Sequence, residues 1–287
     1  DLAESSLTIE GVRIVIDAGL ARVPEPARGR AAPQLKTIRA SLANVDQRRG
    51  RAGRTEPGVC YRLWDHEETR GLVQAPEPEI IRSELSGFLL RLMAWGANDP
   101  SELTWIDAPP KGTLAAARNE LLALGLLSDD GSLTKTGKQV SALPLSPRLG
   151  CWIAGAHIEN ERVAGAWLAA LLSEAGLGGK SIDLETRMVA FRSERSQRSR
   201  ALQKRAEGWA GSSKAPQNLS NLLVKFWPDR LARKQAGTDD RFQLAGGGAV
   251  RLPKDTHLDK KWIVVADMVG SASGDARLIL AGSLQEK

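Results

Sequence analysis

Four arginines and two glycines lie together at positions 47–54, in the order Gln-Arg-Arg-Gly-Arg-Ala-Gly-Arg. Like charges at this density repel one another unless an anion compensates them. The planar guanidinium of arginine donates paired hydrogen bonds that suit phosphate oxygens, and Gly50 and Gly53 allow close backbone approach. At helical spacing, Gln47, Arg51 and Arg54 lie about one turn apart and can face one phosphate cluster. The residues alone fit a nucleotide and the phosphate backbone of nucleic acid equally well.

The charge of the chain is concentrated in two stretches. Its 287 residues include 40 Lys+Arg and 34 Asp+Glu, a formal net charge of +6. Positions 13–54 contribute +7 and positions 187–205 contribute +6, so the remainder is acidic. Such segregation favours polyanionic partners. The alternative for each stretch is a solvated helix face without a ligand.

Composition excludes several classes of protein. With 42% hydrophobic and 26% charged residues, the chain is typical of a globular protein of about two domains. No apolar run approaches the ~18 residues of a membrane span, and the first residues do not form a signal peptide. The isolated Cys60 and Cys151 and the scattered His66, His157 and His257 fit neither a disulfide scaffold nor a zinc site. We therefore expect a cytoplasmic protein without a membrane partner.

The first part of the chain has an α/β pattern. Short β-branched or apolar runs at 12–17 and 58–64 predict two strands, the first of them buried. The stretch at 23–33 predicts a loop, and 41–54 a helix entered from a loop. Two strands are too few for a complete doubly wound domain, so we expect the chain to begin partway through one.

Helical periodicity begins after a proline-rich stretch at 74–78. Apolar residues recur between 80 and 93 until Gly96, and a second helix is predicted at 114–124. An Asp-Gly turn inside 126–134 predicts a hairpin. Helices followed by a small hairpin are typical of a winged helix, and any small α+β connector is the alternative.

The rest of the chain is first helical and then β-rich. Positions 146–209 are helical in pattern, including the basic run at 187–205, which we predict as one helix. Trp95, Trp152 and Trp167 fall on apolar faces, so we expect core positions for them instead of base-stacking ones. A further helix is predicted at 219–227, and strands are predicted at 241–244, 249–252, 262–269 and 276–281.

Several of these motifs resemble those of one enzyme family. The stretch at 47–54 resembles motif VI of superfamily-2 DExH helicases, and 2–12 resembles their motif V, in the expected order. Positions 133–150 are similar to the junction between winged-helix and ratchet domains of the DEAH/RHA branch. The region after Pro228 resembles the bacterial HrpB-type members. The resemblance covers essentially the whole chain.

The resemblance implies a multidomain fold, part α/β and mostly α. The expected domains are a partial second RecA-like lobe at 1–67, a winged helix at 68–143, a helical ratchet-like bundle at 144–227 and the start of a small OB-like β domain at 228–287. We expect this last domain to be truncated, and the chain to be a C-terminal fragment that begins inside motif V.

The resemblance implies that the catalytic residues of this chain lie in motif VI. In the family the glutamine and the last two arginines reach the γ-phosphate of ATP, and they correspond to Gln47, Arg51 and Arg54. Arg51 and Arg54 would be arginine fingers, which stabilise charge that develops on the transferred phosphoryl group. Arg48 is expected to be structural.

Motif V links nucleic acid to the nucleotide in this family. Thr8 and Glu10 would lie near the ribose, and Ser6 would touch the nucleic-acid backbone. Glu10 stands where aspartate is more usual, and the Thr-Asn pair that normally opens the motif is missing apart from Asp1 in the asparagine position.

Other helicase parts are absent from the sequence. The glycines at 176–181 resemble a phosphate-binding loop, but Glu174 occupies the position of its first glycine, so we predict a helix end and a loop. No DEAH or DExH string occurs. We expect ATP with Mg²⁺ as cofactor, its Mg²⁺ ligands in the missing N-terminal RecA-like lobe, and no activity from this chain alone.

We expect the second basic stretch, at 187–205, to bind nucleic acid. Arg195, Arg198 and Arg200 lie where the family channels single-stranded nucleic acid, RNA favoured over DNA. The expected function is coupling of ATP hydrolysis to translocation on RNA or to its unwinding. The alternative is a non-enzymatic winged-helix module that binds nucleic acid, which would leave motifs V and VI without a purpose.

Overall fold

The computed structural model describes residues 11–25, 34–54, 56–254, 256, 258–270 and 275–284. They form two compact units. The first contains residues up to Glu25, Gln34–Ser83 and Asp107–Pro109, and the second contains Glu84–Ile106 and the residues from Pro110 onward. No helix in the described ranges is long and apolar enough to cross a bilayer.

The first unit combines two small sheets with three helices. Its elements are β1 (Ile14–Asp17), β2 (Leu20–Glu25), β3 (Gln34–Arg39), α1 (Leu42–Arg49), β4 (Val59–Arg62), α2 (His66–Arg70) and α3 (Glu79–Arg82). Strand β1 pairs in parallel with β4, and β2 pairs in antiparallel with β3. The predicted strands at 12–17 and 58–64 are confirmed in shorter form. The first was expected to be buried, but its Ile14 and Ile16 are 64% and 68% exposed. The helix predicted at 41–54 is present but ends at Arg49.

The β2–β3 hairpin corrects the predicted loop at 23–33. Its first strand extends to Glu25, and residues 26–33 lie outside the described part of the chain. The buried apolar cluster of this unit is small and consists of Ala40, Val45 and Leu72. A hairpin that buries so little apolar area leaves a weak pattern in the sequence.

The second unit begins with a chain of eight helices. They are α4 (Ser86–Trp95), α5 (Lys111–Ala123), α6 (Lys135–Ser141), α7 (Pro147–Ala154), α8 (Glu159–Ser173), α9 (Leu184–Ser193), α10 (Gln197–Ala210) and α11 (Leu219–Phe226). Helix α4 ends at Gly96, whose φ of 110° is left-handed. Between α5 and α6, Leu127 and Leu133 form one antiparallel bridge, so the predicted hairpin is present but minimal.

Helix α8 is the centre of the helical part. Its ten residues from 163 to 172 are all buried, because other helices surround it. Trp152 and Trp167 lie in this core, as predicted. Trp95, however, is 78% exposed, which contradicts the prediction. It lies one turn after the exposed Arg91, on the α4 face away from the buried Leu89.

The basic run at 187–205 is two helices and not one, which is a second correction. Helix α9 ends at Ser193 and α10 begins at Gln197. Ser196 caps α10, because its hydroxyl accepts the N–H of Ser199 at 3.2 Å. Arg195 therefore lies in the break between the helices.

Five strands close into a barrel at the end of the described chain. They are β5 (Leu231–Lys234), β6 (Arg241–Leu244), β7 (Ala249–Arg251), β8 (Trp262–Val269) and β9 (Ala276–Ser283). The order is β5-β6-β7-β9-β8, and β8 returns to β5. The β7–β9 pair is parallel and the other pairs are antiparallel. The four predicted strands are confirmed, and β5 was not predicted.

An ion-pair cluster joins three of these strands. Asp275, just before β9, accepts two hydrogen bonds of 2.9 Å from Arg241 and one of 2.7 Å from Arg251. Arg241 and Arg251 are opposite one another in the β6–β7 register. The two guanidinium groups, Arg241 first, lower the pKa of Asp275 to about 2.

This pKa predicts a pH-dependent contribution of Asp275 to stability. A carboxyl whose pKa is lowered by folding stabilises the protein above its unfolded pKa of about 4, and this contribution is lost as the pH falls towards 2. We expect Asp275→Asn to lower the thermal midpoint at pH 7 and to have little effect near pH 2. Calorimetry across that range measures the difference. Asp239→Asn, at a carboxylate 95% exposed, is the control, and equal effects of both variants would contradict the assignment.

Candidate nucleotide and nucleic-acid sites

The motif VI residues lie in the last turn of α1 and in the turn that follows it. After the helix ends at Arg49, the N–H groups of Arg51 and Ala52 bond back to the carbonyls three residues earlier, both at 3.1 Å. Gln47 and Arg54 are exposed, whereas Arg51 is only 9% exposed. The structure thus brings the three predicted residues into one short segment and presents two of them to solvent.

Arg48 anchors this segment from behind. Its guanidinium donates to Asp17 Oδ1 at 3.0 Å and to the carbonyl of Leu20 at 2.9 Å. Asp17 ends β1, is 3% exposed, and also accepts the N–H of Gly19 at 2.9 Å. Removal of one partner of a buried ion pair leaves the other charge uncompensated, so this contact strongly favours one placement of α1 on β1. The role of Asp17 was not predicted, although an acid at the end of an apolar strand is its signal in the sequence.

A second contact holds the end of the segment. A Cβ on Gly58 would lie 1.5 Å from the carbonyl oxygen of Ala52, so only glycine allows β4 to start this close. Gly50 and Gly53 differ from it. Gly50 has an ordinary helical φ of −62°, and a Cβ on Gly53 would meet no atom of the described residues within 4 Å. The described part of this chain therefore does not itself require glycine at these two motif positions.

The predicted motif V residues cannot be placed. Ser6, Thr8 and Glu10 all lie outside the described residues. Within the described ranges, no group of three or more His, Cys, Asp or Glu side chains is arranged to hold a metal ion.

The three predicted nucleic-acid residues of the second basic stretch, Arg195, Arg198 and Arg200, are all exposed. Arg200 lies on α10, whose buried face is formed by Ser199, Leu202, Ala206 and Ala210. Arg198, in the first turn of α10, forms an ion pair with Glu174 and donates to the carbonyl of Ala175 at 3.2 Å. The exposed Lys204, one turn after Arg200, extends the same face and was not predicted.

Arg187 belongs to the basic run but is structural. It is 9% exposed, and its Nη2 donates to the carbonyl of Gly179 at 2.8 Å. Burial lowers its pKa, and the nearby Asp267 opposes this effect. The basic run therefore contains a buried arginine as well as exposed cations. Its sequence pattern does not show which cation is buried.

The loop at 176–179 is a structural turn, as predicted. Gly176, Gly178 and Gly179 have φ values of 84°, 67° and 85°. A Cβ on Gly178 would lie 2.2 Å from the carbonyl oxygen of Arg187. These glycines let the chain turn from α8 into α9.

Comparison with known proteins identifies relatives of the whole chain. No protein-family model matches it. The ATP-dependent RNA helicase HrpB of Escherichia coli strain K12 is 37% identical over 283 residues, which are 98% of this chain and 34% of that protein. The pre-mRNA-splicing factor ATP-dependent RNA helicase prp22 of Schizosaccharomyces pombe is 40% identical over 152 residues, which are 52% of this chain and 13% of that protein.

Solved structures agree with the sequence matches. The crystal structure of the Escherichia coli DEAH/RHA helicase HrpB has a TM-score of 0.82 and 32% identity, covering 100% of this chain and 36% of that one. A crystal structure of the Escherichia coli DExH-box NTPase HrpB has a TM-score of 0.80 and 34% identity, covering 99% of this chain and 35% of that one.

These matches define the class: the chain corresponds to a region of a DEAH/RHA-type ATP-dependent RNA helicase. Within that class it is of the HrpB type, and the resemblance noted in the sequence is confirmed. The chain spans about a third of the length of HrpB.

The glycine contacts predict different outcomes for two substitutions. Gly58→Ala forces β4 away from Ala52 and should destabilise the first unit by about 1–3 kcal/mol, as overpacking does. Gly53→Ala should stay within about 0.5 kcal/mol of the parent, because its Cβ meets open space. Native-state hydrogen exchange of α1 and β4 amides measures both. Equal destabilisation by the two would contradict the close contact between Gly58 and Ala52.

Proposed function

We propose that this chain acts within a full-length HrpB-type helicase that couples ATP hydrolysis to movement along RNA. The proposal for RNA rests on the relatives, which are named ATP-dependent RNA helicases. The competing non-enzymatic winged-helix module is not favoured, because the helicase match covers 98% of the chain and includes the motif VI segment.

The proposed domain arrangement has support from the described elements. Residues up to 67, in the first unit, would belong to the second RecA-like lobe, and residues 68–143, with α4–α6 and the Leu127–Leu133 bridge, to a winged helix. Helices α7–α11 would form the ratchet-like bundle. A five-stranded closed barrel supports an OB-like last domain.

The observation that carries the ATP proposal is the exposed, firmly held pair of Gln47 and Arg54. Both side chains reach solvent from a segment anchored by Arg48–Asp17 on one side and by Gly58 on the other. Donors that are held in place before the reaction stabilise developing charge without reorganising. A Cβ on Gly53 would meet no atom of the described residues within 4 Å, which leaves space for a ligand beside Arg54.

The motif VI side chains have the donors needed to contact one side of the phosphates of a nucleotide. Arg54 would donate to the transferred phosphoryl group, and Gln47 would orient the γ-phosphate or the attacking water. We keep Arg51 as the second arginine finger, although its burial makes Arg54 the better candidate. ATP supplies the phosphoryl group, and we propose that acidic residues of the first RecA-like lobe hold Mg²⁺. Thr8, Glu10 and Ser6 keep their proposed roles at the ribose and the nucleic acid.

The second part of the proposal is a nucleic-acid face on the helical bundle. Arg195, Arg198 and Arg200 are exposed, and Lys204 continues the face along α10. Phosphate contacts by such residues tolerate any sequence and weaken with salt. This is the behaviour that a translocating enzyme needs.

Arg54→Ala tests the catalytic proposal in the full-length protein. We expect kcat to fall about 10³-fold with RNA affinity little changed, since an arginine finger acts mainly on the transition state. Arg49→Ala is the matched control, because Arg49 lies in the same motif, is 61% exposed and pairs only loosely with Asp46 at 3.6 Å. Steady-state ATPase assays with RNA measure both. An intact kcat in Arg54→Ala, or an equal loss in the control, would refute the role.

A salt titration tests the nucleic-acid face in the 287-residue chain. Each phosphate contact contributes about −0.7 to the slope of log K against log salt for a single strand, so Arg195→Gln with Arg200→Gln should flatten it by about 1.4. Lys214→Gln with Lys225→Gln removes the same charge from cations that pair with Glu159 and Glu161. Fluorescence anisotropy with a short uridine oligonucleotide reports the slope. An unchanged slope in the arginine variant would mean that these residues only solvate the helices.

A further inference from the structure

Arg198 differs from the two arginines beside it, because an acid of this chain already occupies its guanidinium. Glu174, directly after α8, forms an ion pair with Arg198 Nε. The neighbouring carbonyl of Ala175 accepts from Arg198 Nη2 at 3.2 Å. Among the described residues, Arg195 and Arg200 form no ion pair.

The other acid of this stretch, Glu194, makes its hydrogen bonds elsewhere, although its charge also acts on Arg198. The carboxylate of Glu194 accepts the N–H of Gly178 at 3.3 Å and the hydroxyl of Ser196 at 3.2 Å. It therefore belongs to the turn between α9 and α10 and to the glycine loop. Of these two acids, Glu174 is the one that accepts a hydrogen bond from Arg198, a predicted nucleic-acid residue.

We propose that Glu174 is an internal counter-ion that a backbone phosphate of the bound strand displaces from Arg198. The inference rests on the proposed nucleic-acid face. A carboxylate and a phosphate both match the donors of a guanidinium, so they compete for one position. Glu174 thereby sets how tightly the strand binds and how steeply binding depends on salt.

The exposure of the pair makes this exchange physically reasonable. The side chains of Arg198 and Glu174 are 56% and 39% exposed. Exposed ion pairs contribute little to stability, so the exchange costs little. After displacement Glu174 remains beside the strand and repels it. Continuous translocation requires contacts that break easily, and an internal competitor weakens one contact without removing it.

Glu174→Gln removes the competitor and leaves Arg198 in place. We expect the 287-residue chain to bind a fluorescent uridine oligonucleotide about two- to fivefold more tightly at low salt, the range of an exposed ion pair. The salt slope should steepen by up to about 0.7, because no displaced carboxylate then takes up a cation that offsets the one released by the phosphate. A DNA oligonucleotide of the same length should show the same shift, because the contact is to phosphate.

Glu159→Gln is the matched control. Glu159 begins α8, is 45% exposed and pairs with Lys214, so it loses the same charge from an equivalent ion pair. The length of α8 places it about 20 Å from Glu174. Equal gains in affinity from both variants would show a general charge effect and overturn the proposal.

A double-mutant cycle and a stability measurement complete the test. In an Arg198→Gln background, Glu174→Gln should no longer steepen the slope. A gain in affinity that persists in that background contradicts the exchange. A lowered melting temperature of Glu174→Gln with unchanged affinity also contradicts it, because the ion pair would then have only a structural role.

If Arg195→Gln with Arg200→Gln flattens the slope while Glu174→Gln does nothing, only this inference fails. If neither has an effect, the nucleic-acid face itself is refuted.

Discussion

Both faces of strand β8 are buried, and the architecture of the second unit depends on this. Ile263 and Val265 point into the barrel, whereas Val264 and Ala266 pack in the core of the helical part. Successive residues of a strand face opposite sides, so one strand belongs to two hydrophobic cores. Leu280 of β9 joins the helical core in the same way. The barrel is therefore continuous with the helices that carry the basic face.

Charges reinforce this connection. Asp267 lies where the β8–β9 register is irregular, and its charge acts on both Arg187 of α9 and Arg230 at the start of the barrel. Burial lowers the pKa of each arginine, while Asp267 opposes the effect. Arg230 also lies 4.6 Å above the ring of Trp227. Asp267 thus offsets part of the cost of burying two arginines at this junction.

Strongly periodic segments could be predicted from the sequence, and segments held by distant partners could not. Strands such as β8 and β6 have an apolar pattern of their own, and their predicted bounds agree with the structure. Strand β5 has four residues, two of them basic, and exists because β6 and β8 pair with it. Trp95 was misplaced because hydrophobicity alone does not reveal which face of a helix is covered.

In the candidate sites, too, local features could be predicted from the sequence and long-range contacts could not. The motif in positions 47–54 could be recognised from residue types, but the burial of Arg51 and the anchor between Arg48 and Asp17 depend on contacts across 31 positions of sequence. The ion pair of Glu174 with Arg198 joins residues 24 positions apart. Such contacts arise from the packing of elements, and no local pattern encodes them.

The burial of β8 and β9 also has a consequence for the order of folding. The bundle cannot complete its interior until Val264 and Leu280 have left the ribosome, more than a hundred residues after Trp152. Gly282 of β9 packs so closely on Ser220 that a Cβ there would lie 2.2 Å from the serine hydroxyl. Non-local closure of this kind delays folding and couples the pieces. The helices and the barrel should therefore form as one cooperative unit late in synthesis, although each has its own secondary structure.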